Sequence, residues 1–170
     1  DSAGLLASLR TREVRPGDAM LVPAGLPHTV QEGVFVLELQ EPTDLSILLE
    51  WQDFAVDGDR DGHLDLGFDV ALQAVDTSAV SDADLDRLVV RREDIEHAGL
   101  TSALPAEADS YFRAQHIDTS AGPVAVDAGF SVTVVLDGAG TITSGHGTHP
   151  VAKGDVLLMP YAAGDWTADG

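Results

Sequence analysis

Apolar and polar positions along the 170 residues form two stretches of strand-like pattern, with a stretch of helical pattern between them. From Val14 to about Leu49 three runs rich in branched and aromatic residues predict strands: Ala19-Met20-Leu21-Val22, Val34-Phe35-Val36-Leu37-Glu38-Leu39 and Leu45-Ser46-Ile47-Leu48-Leu49-Glu50-Trp51. Arg15-Pro16-Gly17-Asp18 predicts a corner ahead of the first run, because proline presets φ and glycine accepts positive φ. Pro23-Ala24-Gly25-Leu26-Pro27 predicts a rigid turn after it, and Gly33 closes the loop that follows His28. In the middle of the chain Leu64, Phe68, Ala71, Leu72 and Val75 share one helical face. Ser81 is an N-cap ahead of Asp82 and Asp84, and predicts a second short helix leading into Leu88-Val89-Val90. The β pattern returns after Tyr111-Phe112-Arg113. Phe130-Ser131-Val132-Thr133-Val134-Val135-Leu136 runs into Asp137-Gly138-Ala139-Gly140, which predicts a hairpin with Thr141-Ile142-Thr143 as its return strand.

The two β stretches share a motif. Val14-Arg15-Pro16-Gly17-Asp18-Ala19-Met20-Leu21-Val22-Pro23 has a degraded counterpart in Val151-Ala152-Lys153-Gly154-Asp155-Val156-Leu157-Leu158-Met159-Pro160. Each places Gly-Asp first, apolar residues next and a proline six positions after the glycine. Eleven positions after the glycine the first copy carries His28 and the second Asp165. The expected architecture is therefore mainly β: two antiparallel β-barrels or jelly rolls joined by a short helical linker. Residues 1–55 are expected to be the C-terminal part of the first, metal-binding module, 56–108 the linker with short helices and 109–170 the second, degenerate module.

Composition narrows the partners. Twenty-nine acidic against nine basic residues give a formal charge of -20, which repels phosphate backbones and anionic lipid. Nucleic acid and membrane surfaces are excluded on that ground, and a small molecule remains as the expected partner. There is no cysteine, so any metal must be held by imidazole, carboxylate or amide groups. No apolar run approaches the ~20 residues that span a bilayer, and Asp1-Ser2-Ala3-Gly4 does not open a signal peptide, so a cytoplasmic protein is expected. The absence of an initiator methionine is consistent with a longer polypeptide.

His28, at the end of a rigid turn, is the candidate metal ligand. Glu38 and Gln40 alternate along the run after it and would share the inward face of a barrel, which makes Glu38 the candidate catalytic carboxylate. His146 and His149 lie in a glycine-rich loop, and His63, His97 and His116 stand alone among polar neighbours. None of these is assigned a role. Asp57-Gly58-Asp59-Arg60-Asp61-Gly62 resembles half a calcium loop, but its twelfth position is Phe68 and not glutamate, so it reads as a solvated turn.

Pro23-Ala24-Gly25-Leu26-Pro27-His28, then Gly33, Leu37-Glu38-Leu39-Gln40 and Thr43-Asp44, resemble the type I mannose-6-phosphate isomerases of the cupin superfamily. The resemblance covers nearly the whole chain. It implies two cupin-type barrels, the second without metal ligands, and a mannose-6-phosphate isomerase-like activity in carbohydrate metabolism that converts mannose 6-phosphate to fructose 6-phosphate. It further implies that His28 matches the last of the family's zinc ligands and Glu38 an acidic residue lining the site. The zinc would act as a Lewis acid while a proton moves between C1 and C2 through an enediol. The pattern departs from the family's in three places. The other zinc ligands, a Gln-x-His pair and a Glu, are expected upstream of residue 1. Leu45-Ser46-Ile47-Leu48-Leu49 carries no arginine where the family places one at the sugar phosphate. Lys153 is the only lysine, so a phosphate clamp would need Arg10, Arg12, Arg15 or sequence outside the chain. The alternative reading is a catalytically silent sugar-binding cupin with a regulatory role. A cupin oxygenase would want two histidines and a carboxylate on one barrel, and only His28 is placed for it.

Overall fold

The computed structural model describes residues 2–41, 43–94 and 98–170. It is β-rich, with several small sheets and few, short helices. Of the histidines, His97 lies outside the described residues.

The second module is the better packed. Its strands are β3 (Gly99–Ser102), β4 (Gln115–Asp118), β5 (Val124–Val126), β6 (Ser131–Val134), β7 (Ala139–Ser144), β8 (Gly147–Ala152), β9 (Val156–Met159) and β10 (Trp166–Asp169). A four-stranded sheet runs in the order β5-β10-β7-β8, and β3-β4 and β6-β9 form two antiparallel pairs. The hairpin expected between β6 and β7 is absent. Asp137-Gly138 does turn the chain, with Gly138 at φ +78, but β6 goes to β9 while β7 goes to β8 and β10.

Both pairings belong to one bent ribbon, 131–144 folded back on 147–159, whose tip is Gly145-His146. The corner is held by Lys153 N–H donating to Gly138 O at 2.8 Å and Gly154 N–H to Val135 O at 2.9 Å. Local turn chemistry thus marks a corner where the ribbon passes from one sheet to the next. Ile142, Met159 and Trp166 form the buried core beneath it, packed by Ile117, Val126, Val151, Leu157, Ala163 and Ala168.

The first module has one short ladder, β1 (Ala19–Met20) against β2 (Val89–Val90), and α1 (Ser2–Ser8) ahead of it. The second and third predicted strands, over 34–39 and 45–51, are in no ladder, and residues 31–40 are exposed throughout. A strand needs a neighbour along its length to take its backbone hydrogen bonds; among the described residues 34–39 has no ladder partner, and 45–51 makes a single such bond, from Leu48 N–H to Gly62 O at 2.9 Å. Trp51 instead lies over α2 (Gly58–Asp61), where a Cβ on Gly58 would fall 2.0 Å from the indole. The same indole stacks on Phe68, with centroids 5.6 Å apart.

The middle helix is shorter than its apolar face predicts. Leu64 and Asp65 take positive φ, so the helix α3 starts only at Phe68 and tightens into a 3-10 turn after Ala71. The second predicted helix is present as α4 (Asp82–Arg87), capped by the Ser81 hydroxyl, which accepts from Asp84 N–H at 3.1 Å. The segment 56–108, expected to be a linker, pairs through β2 with β1 and through β3 with β4. No helix among the described residues is long and apolar enough to cross a membrane.

Candidate functional site

The duplicated motif folds the same way twice. In the first copy Asp18 N–H donates to Arg15 O at 3.0 Å, and the Asp18 carboxylate accepts from Arg15 N–H at 3.0 Å. In the second, Asp155 N–H donates to Ala152 O at 3.0 Å, and the Asp155 carboxylate accepts from Ala152 N–H at 2.8 Å. Gly17 and Gly154 both take positive φ, as those turns require. Farther along, Leu26 N–H donates to Pro23 O at 3.1 Å and Ala163 N–H to Pro160 O at 2.9 Å. Two turns of each copy therefore coincide bond for bond, which makes His28 and Asp165 equivalent positions.

What those positions do differs. Asp165 accepts from Ala128 N–H at 2.8 Å and so joins the end of β5 to the start of β10. His28 is exposed, and its Nδ1 lies 2.9 Å from Leu26 O. A carbonyl oxygen can only accept, so Nδ1 carries the proton and the Nε2 lone pair of the neutral ring points away from the turn. The turn is itself anchored: Gly25 O accepts from Asp76 N–H at 2.8 Å, and Gly25 packs so closely that a Cβ would meet Ala74 O at 2.7 Å. The Asp76 carboxyl titrates below the usual range, because the Ser78 side chain and then its backbone donate to it.

Asp18, a turn residue by its sequence, is the most heavily bonded carboxylate near this turn. Its side chain is 5 % exposed and accepts from Arg91 Nη1 at 2.7 Å and Arg92 N–H at 3.0 Å, besides Arg15 N–H. Burial opposes its ionisation most strongly, but the bonds from Arg92, Arg91 and Arg15 together outweigh it and hold the carboxyl below its ordinary value. No local signal announces this, since the arginines lie 73 and 74 positions away.

Glu38 is exposed within 31–40. No group of three His, Asp or Glu side chains among the described residues converges on one point. One imidazole does not make a zinc site, so the described residues by themselves do not fit the metal that the resemblance implies. Arg10 and Arg12 both meet Asp82, each at 2.8 Å, and Arg15 meets Glu93 at 3.0 Å. A cleft lined by Arg15, Pro16, Asp18, Arg92 and Glu93 brings two guanidiniums together, but Arg92 also faces Asp118 at 3.5 Å. His63 is packed edge-on against Phe68 and accepts from Gly67 N–H at 3.2 Å; His146 Nε2 lies 3.0 Å from Ala162 O.

The chain is 27% identical over 164 residues to mannose-6-phosphate isomerase ManA of Bacillus subtilis (strain 168), covering 95% of this chain and 49% of that protein. It is 27% identical over 163 residues to the putative mannose-6-phosphate isomerase YvyI of the same strain, with the same coverage. These similarities support a distant relationship, and the chain spans about half the length of the curated relatives it matches. No protein-family profile matches the chain, and no solved structure matches it.

Proposed function

We propose that this chain is part of a cytoplasmic, metal-dependent sugar isomerase, which interconverts an aldose and its ketose in the manner of mannose 6-phosphate and fructose 6-phosphate. In this reading 1–55 is the C-terminal part of a first, metal-binding cupin and 109–170 a second, degenerate one, joined by 56–108, and the first carries the chemistry. His28 is one ligand of a zinc ion whose other ligands come from outside residues 1–170. Glu38 serves as the acid and base: its carboxylate takes the proton from C2 of the open-chain aldose and returns it to C1, while O2 gives up its hydroxyl proton and O1 gains one, so that C1 becomes the alcohol and C2 the carbonyl. The observation that carries the reading is the tether of His28, whose Nδ1–H is committed to Leu26 O while Nε2 stays available at the end of an anchored turn. The similarity to the two isomerases over 95% of the chain supports it.

Elemental analysis of the intact protein, purified without added metal or chelator, tests the assignment. About one zinc per chain is expected, lost in His28→Ala. Full zinc occupancy in that variant removes His28 from the site. The second reading, a silent sugar-binding cupin with a regulatory role, is favoured by the lack of any convergent donor group among the described residues. It predicts no zinc even when zinc is offered.

A further inference from the structure

We infer that the sugar taken by this site is unphosphorylated; the inference rests on the isomerase reading above. The stretch that holds both His28 and Glu38, residues 16–59, contains no lysine or arginine and nine acidic residues, Asp18, Glu32, Glu38, Glu41, Asp44, Glu50, Asp53, Asp57 and Asp59. A phosphate ester near neutral pH is close to a dianion and offers only acceptor oxygens. Along this stretch it meets net negative charge, and no lysine or arginine side chain of the stretch itself is there to donate to it.

The cations elsewhere are already engaged. Eight of the nine basic residues (Arg10, Arg12, Arg15, Arg60, Arg87, Arg91, Arg92 and Lys153) face carboxylates within 4.0 Å, and the ninth, Arg113, lies just ahead of β4 in the second module. Single exposed pairs are weak and a phosphate could compete for one of them. The net charge of -20 makes each such exchange compete with the field of the whole chain. A neutral sugar has the opposite fit, because each hydroxyl donates a hydrogen bond and exposed carboxylates and Gln40 accept them.

The test compares mannose with mannose 6-phosphate on the purified full-length protein at low ionic strength, by initial rates and by ligand-observed NMR of binding. A kcat/KM at least tenfold higher for mannose is expected, with the discrimination shrinking as salt is added. Preference for the phosphate ester by either readout overturns the inference. If neither sugar is isomerised, the isomerase reading fails, and the binding arm still decides the charge argument. Contact with mannose alone upholds it, whereas contact with mannose 6-phosphate, or with neither sugar, overturns it.

Discussion

Asp18 and Asp155 occupy the same place in two copies of one turn and differ in what surrounds them. Asp155 is exposed and bonds its own turn, whereas the Asp18 side chain is nearly covered and also receives Arg91 and Arg92 from across the first ladder. Replacing Asp18 with Asn leaves donors facing an amide, and an expected loss of about 1–3 kcal/mol at pH 7 follows. Because the folded carboxyl is depressed, its contribution is complete above the unfolded value of about 3.9 and disappears as pH falls through the lower folded value. Denaturant melts of wild type and Asp18→Asn should therefore converge in acid. A gap that persists unchanged there would show that ionisation of Asp18 is not what the pocket uses. Asp155→Asn should cost less at every pH.

Among the elements, the turn that ends in His28 is the one on which the proposed site depends. Gly25 has φ +84 and touches Ala74 O, so Gly25→Ala meets both backbone strain and a clash. A cost of about 1–2 kcal/mol for the left-handed conformation is expected, plus whatever the displaced 72–76 segment gives up. Faster amide exchange at Asp76, whose N–H donates to Gly25 O, would report it. Gly33→Ala, with φ +85 and open space around it, should cost the backbone strain alone.

The same elements divide what was legible in the sequence from what was not. The two Gly-Asp corners and the Ser81 cap were legible because their bonds lie within three residues of each other. The partner of β6 was not, because Asp137-Gly138 has the same composition whether it closes a hairpin or turns a ribbon's corner. The runs at 34–39 and 45–51 have strand propensity, but propensity supplies no neighbour. His28 was legible as a turn-end residue, while its ring tether depends on a rotamer, and Asp18's role depends on arginines distant in the chain.

At the scale of the whole molecule, burial is low. The accessible surface is 12003 Å² against about 8000 Å² for a compact chain of this mass. No described hydrophobic residue of 1–55 is buried, and Phe35 is 91% exposed within an apolar run that also exposes Val34, Val36, Leu37 and Leu39. Open apolar surface of this kind binds reporter dyes and marks a place for a covering surface. Phe35→Asp is expected to lower dye fluorescence while changing stability by no more than about 0.5 kcal/mol. A drop of several degrees in melting temperature would mean that Phe35 is packed in solution.

The bent ribbon of the second module has a kinetic consequence. Its ladder starts at a tip where Ser144 faces Gly147 and extends to Ser131 facing Met159, so each new pair closes only a small additional loop. In the first module, pairing Ala19 with Val90 must bring together residues separated by most of the first half of the chain. Loop-closure entropy grows with that separation and must be met before any non-local contact rewards it. The ribbon can therefore zip from its tip while the region around His28 is still unformed, and the β1–β2 pairing of the part that carries the proposed chemistry is expected to close after it.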